Sequence, residues 1–394
     1  MNKILGFIEE KSFYLIYVYA LVSALSNSGI TILMALFLLV YLLGIKKNFS
    51  TSPKAFLIFA AYYVWRIFTL LFNGIFSQFG RIINIWDKTP YLTVSCLKIN
   101  RDRIIKFFEI LLWLNSIIVI YALLQKYAGF PVIVKSLFTE DLVRFKGFFS
   151  HPLRFAGYIS SVAVISFCFA VFYSRKFIKF APVLILGVFL TGSRSYFLSF
   201  IFATVFVSYF KSKRFFNLYA LSIIVYSMAV FFAFPQIRQR AASSFDNVYN
   251  NENSASLRMN FWKAGLKTFA LNPVYGVGDG QLTNYLKPYK EQGLIDSVAH
   301  AHNAYITCMA ESGIVGLLIY LYIFFFFMKK YFSAGVGTSD NFKKAFAFSL
   351  LGIYLNLAVA GIFESHFSTL VIWSFVTFLM GLFHSYEENF KGEK

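Results

Sequence analysis

The residues best suited to chemistry in this chain are a few arginines and histidines in the connections between long apolar runs. Arg194 sits in Thr191-Gly192-Ser193-Arg194-Ser195-Tyr196, a connection so short that its guanidinium must lie at a membrane surface between two helices. An always-charged fork of five donors at that depth suits a phosphate or diphosphate, although arginines also snorkel to interfaces with no ligand at all. Two of the chain's five histidines occur as Ala299-His300-Ala301-His302-Asn303, ahead of Glu311-Ser312-Gly313-Ile314-Val315-Gly316. A His-x-His pair on a helix splays its rings, and neither a cysteine nor a close carboxylate pair completes a metal shell, so no metal is expected. A single imidazole with a pKa near neutrality is better suited to general-base work.

The elements that position these residues must be membrane helices. Of 394 residues, 58% are apolar, 21% aromatic and only 14% charged, with 51 Phe against 18 acidic residues. A soluble domain carries roughly 25% charged residues, and this chain lacks the polar surface to cover a water-soluble particle. Apolar runs long enough to span a bilayer lie at 12–27, 29–45, 55–75, 104–126, 154–174, 177–192, 194–211, 215–234, 313–329, 342–362 and 367–386. The first is followed so closely by a second that it is expected to remain as a span rather than leave as a signal peptide. The stretch 77–98 is ambiguous, since it holds Arg81, Asp87, Lys88 and Pro90.

Charge parity decides that stretch. Basic clusters occur at Lys46, Lys47 and Lys54; at Lys98, Arg101, Arg103 and Lys106; at Arg175, Lys176 and Lys179; at Lys211, Lys213 and Arg214; and at Lys329, Lys330, Lys343 and Lys344. The positive-inside rule places all of them in the cytoplasm, which requires a further crossing within 77–98. The expected fold is therefore an all-α integral membrane protein of about twelve transmembrane helices with both termini cytoplasmic. Residues 1–234 form a bundle of nine spans with an outer loop at 127–153, residues 235–312 a large outer loop domain, and residues 313–394 the last three spans. Much of the net charge of +19 is thereby dispersed over short inner loops, which argues against nucleic acid as a partner. There is no Walker-type loop and no G-x-G-x-x-G after a strand, so ATP hydrolysis is not expected. Cys96, Cys168 and Cys308 have no metal-ligand spacing and read as buried thiols.

Polar residues kept despite their cost in membrane proteins mark function, and here they gather outside. The loop 127–153 carries Glu140, Asp141, Arg144, Lys146 and His151, with Arg154 at the mouth of the next span. The loop 235–312 carries Arg238, Arg240, Arg258, Lys263, Lys267, Asp279, His300 and His302, against the positive-inside bias. Long loops cross regardless of charge, so a solvated, partly helical loop is the plain alternative for any single lysine there.

His302-Asn303, nine residues and then Gly313-x-x-Gly316 followed by Ile319 resembles the motif near the end of the large periplasmic loop of O-antigen ligases, and O-antigen polymerases share a looser form. Other marks agree in order and spacing: Gly147-Phe148-Phe149-Ser150-His151-Pro152, Gly192-Ser193-Arg194, Ser256-Leu257-Arg258-x-x-x-Trp262, and Asn272-Pro273-x-x-Gly276-x-Gly278. The resemblance implies a GT-C type membrane glycosyltransferase of a Gram-negative inner membrane, with its active site on the periplasmic side. Such an enzyme uses an undecaprenyl-diphosphate-linked glycan as donor and needs no nucleotide sugar, cofactor or metal. It further implies Arg194 and Arg258 as stabilisers of the leaving diphosphate and His302 as the base that activates an acceptor hydroxyl, with inversion at the sugar. His302 acting instead as a hydrogen-bond donor to the diphosphate stays open.

His151, Arg154, Arg238, Asp279, His300 and Glu311 are secondary substrate-binding candidates. Glu311 is equally readable as a carboxylate favoured by a helix N-terminus, and Gly276, Gly278, Gly313 and Gly316 as turn and packing residues. Ligase and polymerase differ in acceptor, lipid A core for one and a lipid-linked repeat for the other, and the tight His-Asn to Gly-x-x-Gly spacing favours the ligase. A transporter or flippase would need charged residues near the midplane and inverted repeats; only Arg66 and Glu109 stand out as such charges. A purely structural role would leave Arg194 and His302 replaceable.

Overall fold

The computed structural model describes residues 11, 13–44, 53–132, 136–139, 144–235, 237–238, 254–295 and 300–390. Lys46, Lys47, Glu140, Asp141 and Arg240 lie outside the described residues. The named elements among the described residues are all helical, in the order α1 (Phe13–Val22), α2 (Asn27–Leu43), α3 (Phe56–Phe72), a 3-10 run Phe76–Lys88, α4 (Thr89–Thr93), α5 (Arg101–Tyr127) and α6 (Pro152–Cys168). After a π turn Phe169–Tyr173 and a 3-10 turn Arg175–Phe180 come α7 (Ala181–Leu190), α8 (Arg194–Ser208), α9 (Lys213–Ala233), α10 (Ser254–Leu271), α11 (Leu282–Glu291), α12 (Ala304–Val336), α13 (Asn341–Ala360) and α14 (Leu370–Phe390).

Helix starts follow from short polar side chains that satisfy orphan N–H groups. Ser26, Asn100, Ser212, Asn303 and Asp340 each accept from the first turn of the helix they precede. Among the described residues, six helices are long and apolar enough to cross a membrane by length and composition: Arg101–Tyr127, Pro152–Tyr173, Lys213–Ala233, Ala304–Val336, Asn341–Ala360 and Leu370–Asn389. Phe13–Val22, Asn27–Leu43, Phe56–Phe72 and Arg194–Ser208 are shorter apolar helices. With exposed Leu218, Leu221, Ile224, Val225, Met228 and Phe232, α9 presents a surface suited to lipid rather than water. This is a multi-pass membrane protein.

Where lipid surrounds the bundle, helices associate through close packing and polar links rather than by hydrophobic exclusion. A Cβ on Gly157 would meet Ile372 at 2.4 Å, and one on Gly187 would meet Val119 at 2.7 Å. Asn356 accepts from Ser199 at 2.7 Å and donates to Ser160 at 2.9 Å, tying α13 to α8 and α6. Tyr158 joins Ser23 and Asn115 at 3.0 and 3.1 Å.

Two stretches differ from the expected spans. Residues 76–96 form 3-10 and short helical turns rather than one straight helix, because Pro90 and the Asp87–Lys88 pair interrupt the apolar run. The run 177–192 becomes a 3-10 turn followed by the ten-residue α7, with Pro182 in its first turn. Glu109 is an exposed partner of Lys176 at 2.6 Å, so it marks no buried charge.

Candidate active site

The site is organised by a break in α12. Its first part begins at Ala304, nine residues before the expected apolar start, because Asn303 caps Tyr305 and Ile306 at 2.9 and 3.0 Å. Gly313 then departs from helical geometry, with φ 66° and ψ −169°, a region open essentially to glycine alone. The freed backbone groups pair with the Asn272-Pro273-x-x-Gly276-x-Gly278 loop. Ala310 and Glu311 carbonyls accept from Val277 and Gly278 at 2.9 and 3.1 Å, Ser312 carbonyl accepts from the Trp65 indole at 2.9 Å, and Ile314 donates to Pro273 carbonyl at 2.8 Å. Main chain meets main chain so closely that a Cβ on Gly276 would lie 2.4 Å from Glu311 C, and one on Gly313 would lie 2.1 Å from Val274 O. The motif glycines are thus packing residues.

Beneath this junction Arg66 of α3 forms a buried ion pair with Asp279. The partners are far apart in sequence, and their charges also act on buried Glu311, which accepts from the Gly280 N–H. Asp279 therefore holds a scaffold arginine rather than standing open to a ligand.

On the other side of the site, the His302 segment is stitched to the connection between α13 and α14. Ala304 N–H donates to Gly361 carbonyl at 2.7 Å, and the Tyr305 hydroxyl to Ala358 carbonyl at 2.7 Å. Glu364 sits 5% exposed in that connection and was not anticipated from sequence. Its Oε1 accepts from Arg258 Nη2 at 3.1 Å and from Ser195 Oγ at 3.3 Å, while its Oε2 lies 3.9 Å from His302 Nδ1. One carboxylate thus touches all three stretches that the sequence singles out, those around 194, 258 and 302. Arg194, next to Ser195, is close enough to Arg258 for their like charges to repel. Lys88, also unanticipated as a site element, secures the connection from behind. Its buried ammonium donates to Asp87 at 2.7 Å and Phe367 carbonyl at 2.9 Å, and lies 4.5 and 4.7 Å from the Phe367 and Trp373 ring centres.

His302 is the non-glycine residue with positive φ among the described residues, at 48°. Such a backbone costs a side chain of this size about 1–2 kcal/mol, and strain of this kind collects at functional sites. Its backbone N–H donates to His300 Nδ1 at 3.2 Å, which fixes His300 as the Nε2–H tautomer. Burial and the neighbouring His302 push the His300 imidazole down to about 4, so it is neutral at pH 7. His366, buried with Nε2 2.8 Å from Leu357 carbonyl, is likewise pushed down to about 4 by desolvation. His151 is lowered by burial and by Arg144 and Arg154, and its Nδ1 caps α6 by accepting from Leu153.

These groups open onto a cavity of about 700 Å³. Of the candidates expected from sequence, His151, Arg154, His300, His302 and Glu311 line it; Arg258 reaches it through Glu364, and Asp279 through Arg66. Arg194 lies beside the network rather than in the wall, and Arg238, beyond the end of α9, is exposed. Hydroxyls of Ser150, Ser365, Ser368 and Thr369 complete a lining of cations, carboxylates and alcohols suited to an anionic, polyhydroxylated ligand. Among the described residues no three His, Cys, Asp or Glu are grouped as a metal site requires.

Residues 180–321 match the sequence model of the family described as O-Antigen ligase. This segment is thus similar to the O-antigen ligase family. The family is one of glycosyltransferase-like ligases and polymerases of the O-antigen pathway, acting on lipid-linked glycans. The matched segment holds Arg194, Arg258, Asp279, His300, His302 and Glu311, whereas His151, Arg154 and Glu364 lie outside it. No curated protein matches the chain.

Proposed function

We propose that this protein is an O-antigen ligase-type glycosyltransferase that moves a glycan from undecaprenyl diphosphate to lipid A core on the periplasmic face of an inner membrane. The supporting observation is the convergence of Arg258, His302 and the Arg194 turn on Glu364 at the edge of a polar cavity within reach of the membrane helices. In this reading the acceptor hydroxyl gives its proton to His302 as its oxygen bonds the anomeric carbon. The carbon–oxygen bond to the diphosphate breaks with its electron pair going to the leaving group, and the opposite-face attack inverts the sugar. Arg258 and Arg194 stabilise the growing charge on the diphosphate. His151, Arg154, His300 and Glu311 contact the glycan or its diphosphate, and neither a nucleotide sugar nor a metal takes part. In this reading about twelve spans, with both termini cytoplasmic, put this chemistry on the outer side. The polymerase reading keeps donor, site and chemistry and changes only the acceptor; the His302-Asn303 to Gly313-x-x-Gly316 spacing favours the ligase.

The test is deletion of the gene followed by gel analysis of surface lipopolysaccharide, with complementation by wild type and by Arg194→Ala, Arg258→Ala and His302→Ala at matched expression. Loss of all polymer on lipid A core, with long chains accumulating on undecaprenyl diphosphate, is the expected result, and the three variants are expected not to restore it. A single repeat still joined to core identifies a polymerase. Full complementation by the alanine variants overturns the proposed site.

A further inference from the structure

We propose that Glu364 is the positioning residue that sets the working tautomer of His302. The inference rests on the glycosyltransferase reading for its catalytic consequence, while the tautomer itself is measurable without any turnover. Three observations carry it. First, His302 Nδ1 is buried and makes no hydrogen bond among the described residues, yet it lies 3.9 Å from Glu364 Oε2 on a ring that is one-fifth exposed at 21%. The neighbouring charge that a Nδ1–H can meet there is the carboxylate, so the proton belongs on Nδ1 and Nε2 is left with its lone pair for the cavity. Second, the carboxylate cannot turn away. Its other oxygen is held by Arg258 at 3.1 Å and by Ser195 at 3.3 Å, and its own segment is fixed by the Ala304–Gly361 backbone bond and by Lys88 on Phe367 carbonyl. Third, the backbone of His302 is held at a positive φ of 48°, so the ring is presented by a constrained main chain, with Phe261 at 5.1 Å between ring centres and His300 at 4.8 Å.

The arrangement makes an isosteric substitution unusually informative. In Glu364→Gln the amide must choose which end faces which neighbour. Arg258 has only donors, so the amide oxygen goes to Arg258 and the NH₂ is turned toward His302 Nδ1. A donor there requires Nδ1 to become the acceptor, which moves the ring proton to Nε2. The variant keeps the volume and the Arg258 contact, yet leaves His302 with no lone pair facing the cavity.

The experiment is nitrogen-15 NMR of the full-length protein in detergent micelles with only histidine labelled, which leaves five imidazoles to resolve. The His302 signals are identified by their loss in His302→Gln. The expected result is a Nδ1–H tautomer for His302 in the wild type and in Glu364→Asp, and a Nε2–H tautomer in Glu364→Gln, with the other imidazoles unchanged as the control for folding. Glycan transfer by Glu364→Gln should fall about 100-fold or more, the range of a lost general base, and should fall less in Glu364→Asp. It should also fall less when Glu364→Gln is added to His302→Gln than when it is added to the wild type. The same tautomer in wild type and Glu364→Gln, or wild-type transfer by Glu364→Gln, overturns the inference. Full activity of His302→Gln instead overturns the functional reading and leaves the tautomer result standing on its own.

Discussion

Replacing Gly313 by alanine tests whether the break in α12 is what shapes the site. The position has φ 66° and ψ −169°, where a side chain costs about 1–3 kcal/mol. The new Cβ would also start 2.1 Å from Val274 O and 2.5 Å from Tyr275 N, main-chain atoms that cannot rotate aside. Relief requires the 273–278 loop to withdraw, which gives up the 2.8 Å Ile314–Pro273 bond and leaves its buried groups unmatched, at about 1–3 kcal/mol. The sum is about 2–6 kcal/mol, measurable by SDS titration of the purified protein in mixed micelles. Gly293→Ala is the control. Its φ is nearly the same, 69°, but nothing lies within 4 Å of the added carbon, so it should lose only about 1–2 kcal/mol. Equal losses for the two variants would refute the claim that close main-chain approach, rather than dihedral angle alone, makes glycine necessary here.

Arg66→Met strands Asp279 in a buried setting, and Asp279→Leu strands Arg66; each should lose about 3–5 kcal/mol in the same titration, while the double variant recovers part of it, and simple additivity would contradict the pairing. Acidification should destabilise the fold through His300 and His366. The unfolded chain protonates these imidazoles below about pH 6.5, whereas the folded chain holds them neutral down to about 4, so stability falls between those values by up to about 1.4 kcal/mol per pH unit for each. His366→Gln should flatten that slope, and an unchanged slope would argue against its burial as a neutral group. Of the three cysteines, Cys96 is half-buried and Cys168 and Cys308 are buried, so a water-soluble thiol reagent should modify Cys96 first; prior reaction at Cys308 would contradict the packing against Tyr62.

The sequence already displayed what depends on residue type and near spacing. Long apolar runs became long helices, because the bilayer demands length and hydrophobicity that few other segments possess. His302, Arg258 and the glycine motifs were readable because their rarity in an apolar chain singles them out. What escaped notice depends on contacts between distant residues. Glu364 looked like part of a short connection between spans, and only folding brings it to Arg258, Ser195 and His302. The pairing of Arg66 with Asp279, 213 residues away, was equally hidden. The start of α12 at Ala304 was missed because residues 304–312 are too polar to read as a span, although Asn303 is a strong capping residue. Acidic residues are scarce here, 18 in all, so one in an outer connection was the available clue to Glu364.

The position of Glu364 beyond residue 321 bears on how such proteins can be recombined. The matched segment carries His302 and Arg258, but the carboxylate between them is supplied by the turn joining α13 to α14, and the stretch around His302 is sewn to that turn through Gly361. The segment is therefore not a transplantable module. A chimera that exchanges residues 180–321 between two homologues inherits whatever residue the recipient places opposite the histidine, while one that carries the exchange through residue 369 moves the histidine and its carboxylate together.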